Sequence, residues 1–171
     1  MPCVYILCGL PFAGKTFLAK ALVRHLNLPR VSIDEINSER GLGFDNAPIS
    51  SEDWGITYAE SYTRLDAYLR AGRSVVYDAA NFTRAERDKA RAVAAQSGSE
   101  AVVLHVTTPE PIVRQRWLRN RLTHERNDIR DDYFAVVITQ FEPPAADENV
   151  LCYSNEQDAS LWVEFYEKRM R

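Results

Sequence analysis

The amino-acid sequence predicts an α/β fold in which a parallel β-sheet is covered by helices on both faces. Three observations predict it. Short apolar runs alternate with longer amphipathic ones along the chain. The apolar runs are continuous rather than alternating, as expected of strands buried on both faces. The first run leads through a glycine-bounded loop directly into a helical pattern, a strand–loop–helix unit at the head of the sequence.

Taken in order, Cys3 to Cys8 reads as a buried strand, and Lys15 to Leu26 as a helix with Leu18, Leu22 and Leu26 at i, i+4 and i+8. Arg30 to Ile33 is a short second strand. Gly41 to Ser50, rich in Gly, Asn and Pro, is the one long loop. Ser51 to Ala71 forms a long helix with the stripe Trp54, Tyr58, Tyr62, Leu65 and Leu69, stopped by Gly72. Aromatic residues at this spacing are core in the first instance. Ser74 to Tyr77 is a third strand. The next helix runs to Gln96, with Thr83 as N-cap, Glu86 at the capping-box position and Gly98 beyond its end. Ala101 to Val106 is a fourth strand and Glu110 to about Leu122 an arginine-rich helix. Asp131 to Phe141 is a helix stopped by Pro143 and Pro144, Val150 to Tyr153 a fifth strand, and Asp158 to Met170 a closing helix.

A chain of 171 residues suits a single domain with a real core and needs no disulfide or metal staple. Its apolar (46%) and charged (26%) fractions are those of an ordinary globular protein, and its net charge of -3 comes without a basic block. This argues against a dedicated DNA-binding or membrane surface. Cys3, Cys8 and Cys152 all fall in strand-like apolar runs, without CxxC or metal-ligand spacing, and read as reduced core thiols. The first apolar run lacks a charged n-region, and no run approaches a membrane span, so a cytoplasmic location is expected.

The segment Gly9-Leu10-Pro11-Phe12-Ala13-Gly14-Lys15-Thr16 satisfies G-x-x-x-x-G-K-[ST] between a strand and a helix. Glycines at both ends let the backbone wrap an anion, and the helix N-terminus adds partial positive charge. Lys15 is expected to reach the β- and γ-phosphates of ATP and the Thr16 hydroxyl to ligate Mg²⁺. Gly9, Pro11, Phe12, Ala13, Gly14, Lys15, Thr16 and Phe17 are therefore the candidate nucleotide contacts. No N-K-x-D run marks a guanine pocket.

Ligands of open parallel sheets sit beyond the carboxyl ends of the strands. Asp34 ends the second strand; Asp78 and Asn81 follow the third. Asp34 suits the role of base toward an acceptor hydroxyl, with a helix N-cap as its alternative. Asp78 suits the Mg²⁺ shell or an acceptor contact, and Asn81 and Arg84 are further acceptor candidates. Arg114, Arg116, Arg119 and Arg121 crowd one helix, with Arg126 and Arg130 after it, opposed by Glu125 and Asp128. Guanidinium groups on a closing lid, about 114–130, stabilise a transferring phosphoryl group. Arg116 and Arg119 share a face and are favoured, with Arg121 close behind.

These residues resemble the small P-loop kinases grouped with phage polynucleotide kinase, zeta toxins and chloramphenicol phosphotransferase, the AAA_33-type ATP-binding proteins. The resemblance is carried by Gly9 to Thr16, Ser32 to Ile36, Val76 to Arg84, Arg119-Asn120 and Phe141 to Pro144. It implies a P-loop NTPase kinase-type three-layer sandwich whose five-stranded parallel sheet has the order 2-3-1-4-5. It also implies Asp34 as base and a lid carrying Arg119. Polynucleotide kinases place an arginine three residues after that base, where this chain has Asn37. The expectation is an ATP-dependent kinase acting on a hydroxyl of a small molecule. A 5′-hydroxyl polynucleotide kinase and a nucleotide-binding switch are the alternatives.

Overall fold

The central strand is β1 (Cys3–Cys8), and all six of its residues are buried. In the computed structural model it pairs in parallel with β3 (Val75–Asp78) on one side and β4 (Glu100–Val106) on the other. Beyond them lie β2 (Arg30–Ser32) and β5 (Val150–Tyr153), also parallel, which gives the order β2-β3-β1-β4-β5. The structure describes residues 1–43, 47–125, 129–154 and 156–170.

The alternation of side chains along β1 divides the core in two. Tyr5 and Leu7 face a cluster that includes Leu18 and Leu22 of α1 (Lys15–Leu26), Trp117 of α5 (Glu110–Thr123), Phe134 of α6 (Asp131–Gln140) and Trp162 of α7 (Ala159–Met170). Val4, Ile6 and Cys8 face the other cluster. It includes Ile36 of α2 (Ile33–Glu39), Leu65 and Leu69 of α3 (Ser51–Arg70), and Ala90 and Ala94 of α4 (Arg84–Gln96). The continuous apolar runs follow from this double burial.

Local signals set several boundaries. Thr83 and Glu86 form the reciprocal capping box at the start of α4. Gly72, at φ 74°, follows the end of α3. Three readings are corrected. β2 stops at Ser32, and Ile33 opens a short helix, α2, instead of ending the strand. A 3₁₀ turn, Ala146–Glu148, precedes β5. Cys152 is exposed, because β5 is an edge strand, whereas Cys3 and Cys8 are buried. Arg126 and Asp128 lie outside the described residues, as does part of the loop 41–50.

The two segments Val76–Arg84 and Phe141–Pro144, far apart in sequence, meet at the head of α4. The backbone N–H of Glu142 donates to the carbonyl of Phe82 at 2.8 Å, and the Glu142 carboxylate accepts from the Arg84 N–H at 2.6 Å. Beneath them Arg87 and Glu148, both fully buried, form a two-pronged ion pair at 2.6 and 3.0 Å. Arg87 also donates to the carbonyls of Glu142 (2.9 Å) and Asn81 (3.3 Å) and approaches the Cys8 sulfur at 3.7 Å. One guanidinium thus ties α4, the chain leaving α6, the 3₁₀ turn and the end of β1. Each of the three guanidinium nitrogens thereby has a partner, which is what makes a buried pair tolerable.

Candidate active site

The loop between β1 and α1 is shaped by steric demands. Gly9 has φ 148°, and a Cβ there would lie 2.8 Å from the Val106 carbonyl oxygen, so the loop leaves the sheet through a gap that admits only glycine. Phe12 is held at φ 60° and Gly14, the N-cap of α1, at φ 107°. No side chain caps this helix, which leaves its positive end to an anion.

Two side chains brace the loop, one just past the end of β4 and one from α5. The Thr108 hydroxyl donates to the Ala13 carbonyl at 2.7 Å, and Arg116 Nη1 to the carbonyls of Phe12 and Ala13 at 3.1 and 3.4 Å. Because C=O and N–H point oppositely across a planar peptide, holding the Ala13 carbonyl this way turns the Gly14 N–H away from Thr108 and Arg116. Lys15 Nζ donates to the carbonyls of Gly9 and Leu10 at 2.8 and 2.9 Å. Its charge is kept at the mouth of the loop by partners that a phosphate oxygen can replace.

Asp78, at the carboxyl end of β3 beside Ser32, is buried and bonded through Oδ2 to Arg30 Nη1 at 3.1 Å. Its charge interacts with those of Lys15 and Asp34, and the Thr16 hydroxyl favours its ionised form. Burial raises its pKa above the usual carboxylate value; Arg30, Lys15 and Thr16 pull the other way. Among the described residues no group of three or more His, Cys, Asp or Glu could hold a metal by itself. The Thr16 hydroxyl and Asp78 carboxylate are nevertheless the hard oxygen donors that Mg²⁺ accepts when phosphate and water complete its shell.

Asp34 is exposed in the first turn of α2. The helix cap is Ser32, whose Oγ accepts from the Glu35 N–H, so the N-cap reading of Asp34 is overturned. Asn37, three residues on, is buried and accepts from the Thr57 hydroxyl at 2.6 Å. Arg40 donates to Thr57 (2.6 Å) and to the carbonyl and carboxylate of Asp53 (2.8 and 2.9 Å), fastening α2 to α3.

The remaining sequence candidates are dispersed. The Asn81 amide donates to the Leu7 carbonyl at 3.0 Å with its backbone at φ 49°, a bond that fixes the β3–α4 turn against β1. The Arg84 guanidinium is turned to Asp147. Phe17 is largely exposed. Of the favoured arginines, Arg116 reaches the loop, Arg119 is exposed one turn on, and Arg121 pairs with Asp131 and lies 4.3 Å from the Trp117 ring centre. Arg114 pairs with Glu110 within α5. Sequence reading missed Thr108, Arg30 and the Arg87–Glu148 pair. For Thr108 a signal existed, a polar residue just past a strand end on the same rim as Asp78.

Fold and loop together define a P-loop protein of the kinase type. The chain belongs to the AAA domain family AAA_33, whose model matches residues 4–144. No curated protein matches the sequence. Among solved structures of similar fold is Chaetomium thermophilum Kti12 in complex with ADP-AlF3, with TM-score 0.78 and 18% identity over 98% of this chain and 97% of that one. Another is the Mycobacterium tuberculosis APS kinase CysC in complex with AMPPNP and APS, with TM-score 0.64 and 17% identity over 98% and 95%. A third is a gluconokinase from Sinorhizobium meliloti 1021, with TM-score 0.61 and 17% identity over 95% and 88%. At these identities the likeness is one of fold. No helix among the described residues is long and apolar enough to cross a membrane.

Proposed function

We propose that the protein is an ATP-dependent phosphotransferase that moves the γ-phosphoryl group of ATP to a hydroxyl of a small molecule. What supports this reading most is the loop itself, with Lys15 held at its mouth and Asp78 at the carboxyl end of the neighbouring strand β3, in electrostatic reach of Lys15 and Asp34. The acceptor oxygen attacks the γ-phosphorus and the bond to the β–γ bridging oxygen breaks. ADP leaves with that oxygen, and the acceptor proton passes to the Asp34 carboxylate. Lys15 and the loop N–H groups hold the phosphates, while Arg116 and Arg119 on α5 supply positive charge as the lid closes. A Mg²⁺ ion held by Thr16, Asp78 and the phosphate oxygens would offset part of the triphosphate charge. Two of the similar structures are named for kinase activities and two hold ADP-AlF3 or AMPPNP, which supports a nucleotide-dependent reading.

The acceptor side speaks against a polynucleotide end. Asn37 stands where a polynucleotide kinase has arginine, and Arg40 is committed to Asp53 and Thr57. The test is ATP consumption against pooled nucleosides, sugars, amino alcohols, antibiotics and oligonucleotides, followed by Asp34→Asn on the acceptor found. Transfer should fall by about 10²–10⁴-fold, the scale of a positioned acid–base group. ATP affinity should hold, because Asp34 is on α2 and the phosphate cradle is on β1 and α1. Since Ser32 is the cap, Asp34→Ala should also keep nearly full stability. Full transfer by Asp34→Asn would remove Asp34 from the mechanism.

A further inference from the structure

The aromatic stripe of α3 is only half core. Trp54, Tyr58 and Tyr62 form a ladder of rings with centroids 6.1 and 6.3 Å apart, and it continues to Tyr77 of β3 at 6.0 Å. Its outer side borders an open groove of about 540 Å³ between α3 and α4, walled by Gly55, Tyr58 and Tyr62 and by Glu86, Lys89 and Val93. Gly55 costs an exposed helix interior about 1 kcal/mol relative to alanine. Nothing lies within 4 Å of where its Cβ would be, so it adds to the open space.

Glu86 stands at the head of this groove. Its Oε2 is used by the Thr83 N–H at 3.0 Å in the capping box. The charge of the carboxylate reaches three tyrosine hydroxyls, those of Tyr58, Tyr62 and Tyr133 on α6. Burial raises the pKa of all three, and Glu86 raises it further; Asp34 adds to the field at Tyr58. Arg30 is matched by Glu35 and Asp78, Arg40 by Asp53, Arg64 by Glu39 and Glu60, and Arg84 by Asp147, and among the described residues no arginine lines the groove. Lys89, one turn below Glu86, borders the groove further down α4.

The groove sets the Glu86 carboxylate beside Tyr58 and Tyr62, with the Tyr133 hydroxyl within reach of its charge, and a carboxylate beside aromatic rings is an environment for a cation. An anionic acceptor would instead meet Glu86 and Asp34 together. We infer that the phosphoryl acceptor is a hydroxyl compound carrying a protonated amine. Its ammonium group lies between Glu86 and the rings of Tyr58, Tyr62 and Tyr133, and its hydroxyl is turned toward Asp34. The inference rests on the phosphotransferase reading and adds the charge of the substrate to it.

The test is calorimetric titration of the full chain, with ADP and Mg²⁺ present. The ligands are three sugars of one ring shape and different charge (glucosamine, glucose and glucuronate), followed by ethanolamine and choline. Glucosamine should bind about tenfold tighter than glucose, the scale of a cation–π contact, and glucuronate most weakly. Glu86→Gln should remove the preference while keeping the helix cap, because glutamine serves at that capping-box position as glutamate does. Tyr133→Leu, at an exposed position, should weaken the amines and leave glucose unchanged. The assignment is overturned if no amine in the series binds, if glucuronate binds as tightly as glucosamine, or if the preference survives in Glu86→Gln. Titration reads binding alone. A chain that prefers amines but transfers no phosphoryl group would defeat the phosphotransferase reading, whereas transfer to a neutral or acidic acceptor would defeat only the charge assignment.

Discussion

Arg116 crosses from α5 to the phosphate loop and donates to the Phe12 carbonyl at 3.1 Å. The loop is therefore shaped from behind by the helix expected to carry its catalytic charge. Arg116→Met should loosen this brace and weaken ATP binding by about 10-fold or more, the scale of a hydrogen bond from a charged donor. Titration with ATP checks it. An unchanged affinity together with unchanged turnover would reduce the contact to packing.

Lys15→Ala should abolish ATP turnover with the fold intact. Its ammonium group bonds two carbonyls of its own loop and supports no element of the core. Circular dichroism and an ADP-release assay on the same preparation decide the point. Wild-type affinity and turnover in the variant would sink the phosphate-loop assignment.

Asp78 carries a pH signature. Burial raises its folded-state pKa, so the folded chain binds this proton more tightly than the unfolded chain does. The charge is then a cost to stability that grows as pH rises from the unfolded to the folded value, and below both values it is absent. Asp78→Asn should hold or raise the melting temperature at pH 7 and flatten its acid profile, while weakening Mg²⁺-dependent ATP binding. A clear drop in melting temperature at pH 7 would mean that the Arg30 ion pair outweighs the desolvation of the carboxylate.

The Arg87–Glu148 pair should behave as an all-or-none unit. Arg87→Met leaves a carboxylate buried without its partner and should cost about 3–5 kcal/mol in urea denaturation. Adding Glu148→Leu should recover most of that loss. A single variant as stable as wild type would show that water reaches the site.

What was legible in the sequence was local or periodic. The Gly9–Thr16 loop, the Thr83–Glu86 capping box and the continuous apolar strands each follow from spacing within a few residues. Asp78 falls at the carboxyl end of β3, where the apolar run Val75 to Tyr77 gives way to a charge. The start of α2 was hidden because Ile33 is apolar enough to extend a strand, while the deciding bond, from the Glu35 N–H to Ser32 Oγ, is a cap. Arg87 looked like one more charge on an amphipathic helix, since its partner lies 61 positions away in a short turn. Asn81 and Arg84 fell at the right rim, but their side chains are taken up by Leu7 and Asp147, contacts that no periodicity encodes.

Trp117 of α5 lies flat on Phe134 of α6, ring centres 4.1 Å apart and planes 4° from parallel, and its indole N–H is bonded to the Ile129 carbonyl at 2.9 Å. This stack makes a single lever of two helices. One arm ends in Arg116 on the phosphate loop, and the other carries Tyr133, next in sequence to Phe134. A nucleotide that moved α5 would have to carry α6 with it or part the two rings. The indole at the fulcrum is a built-in optical reporter of which of the two happens.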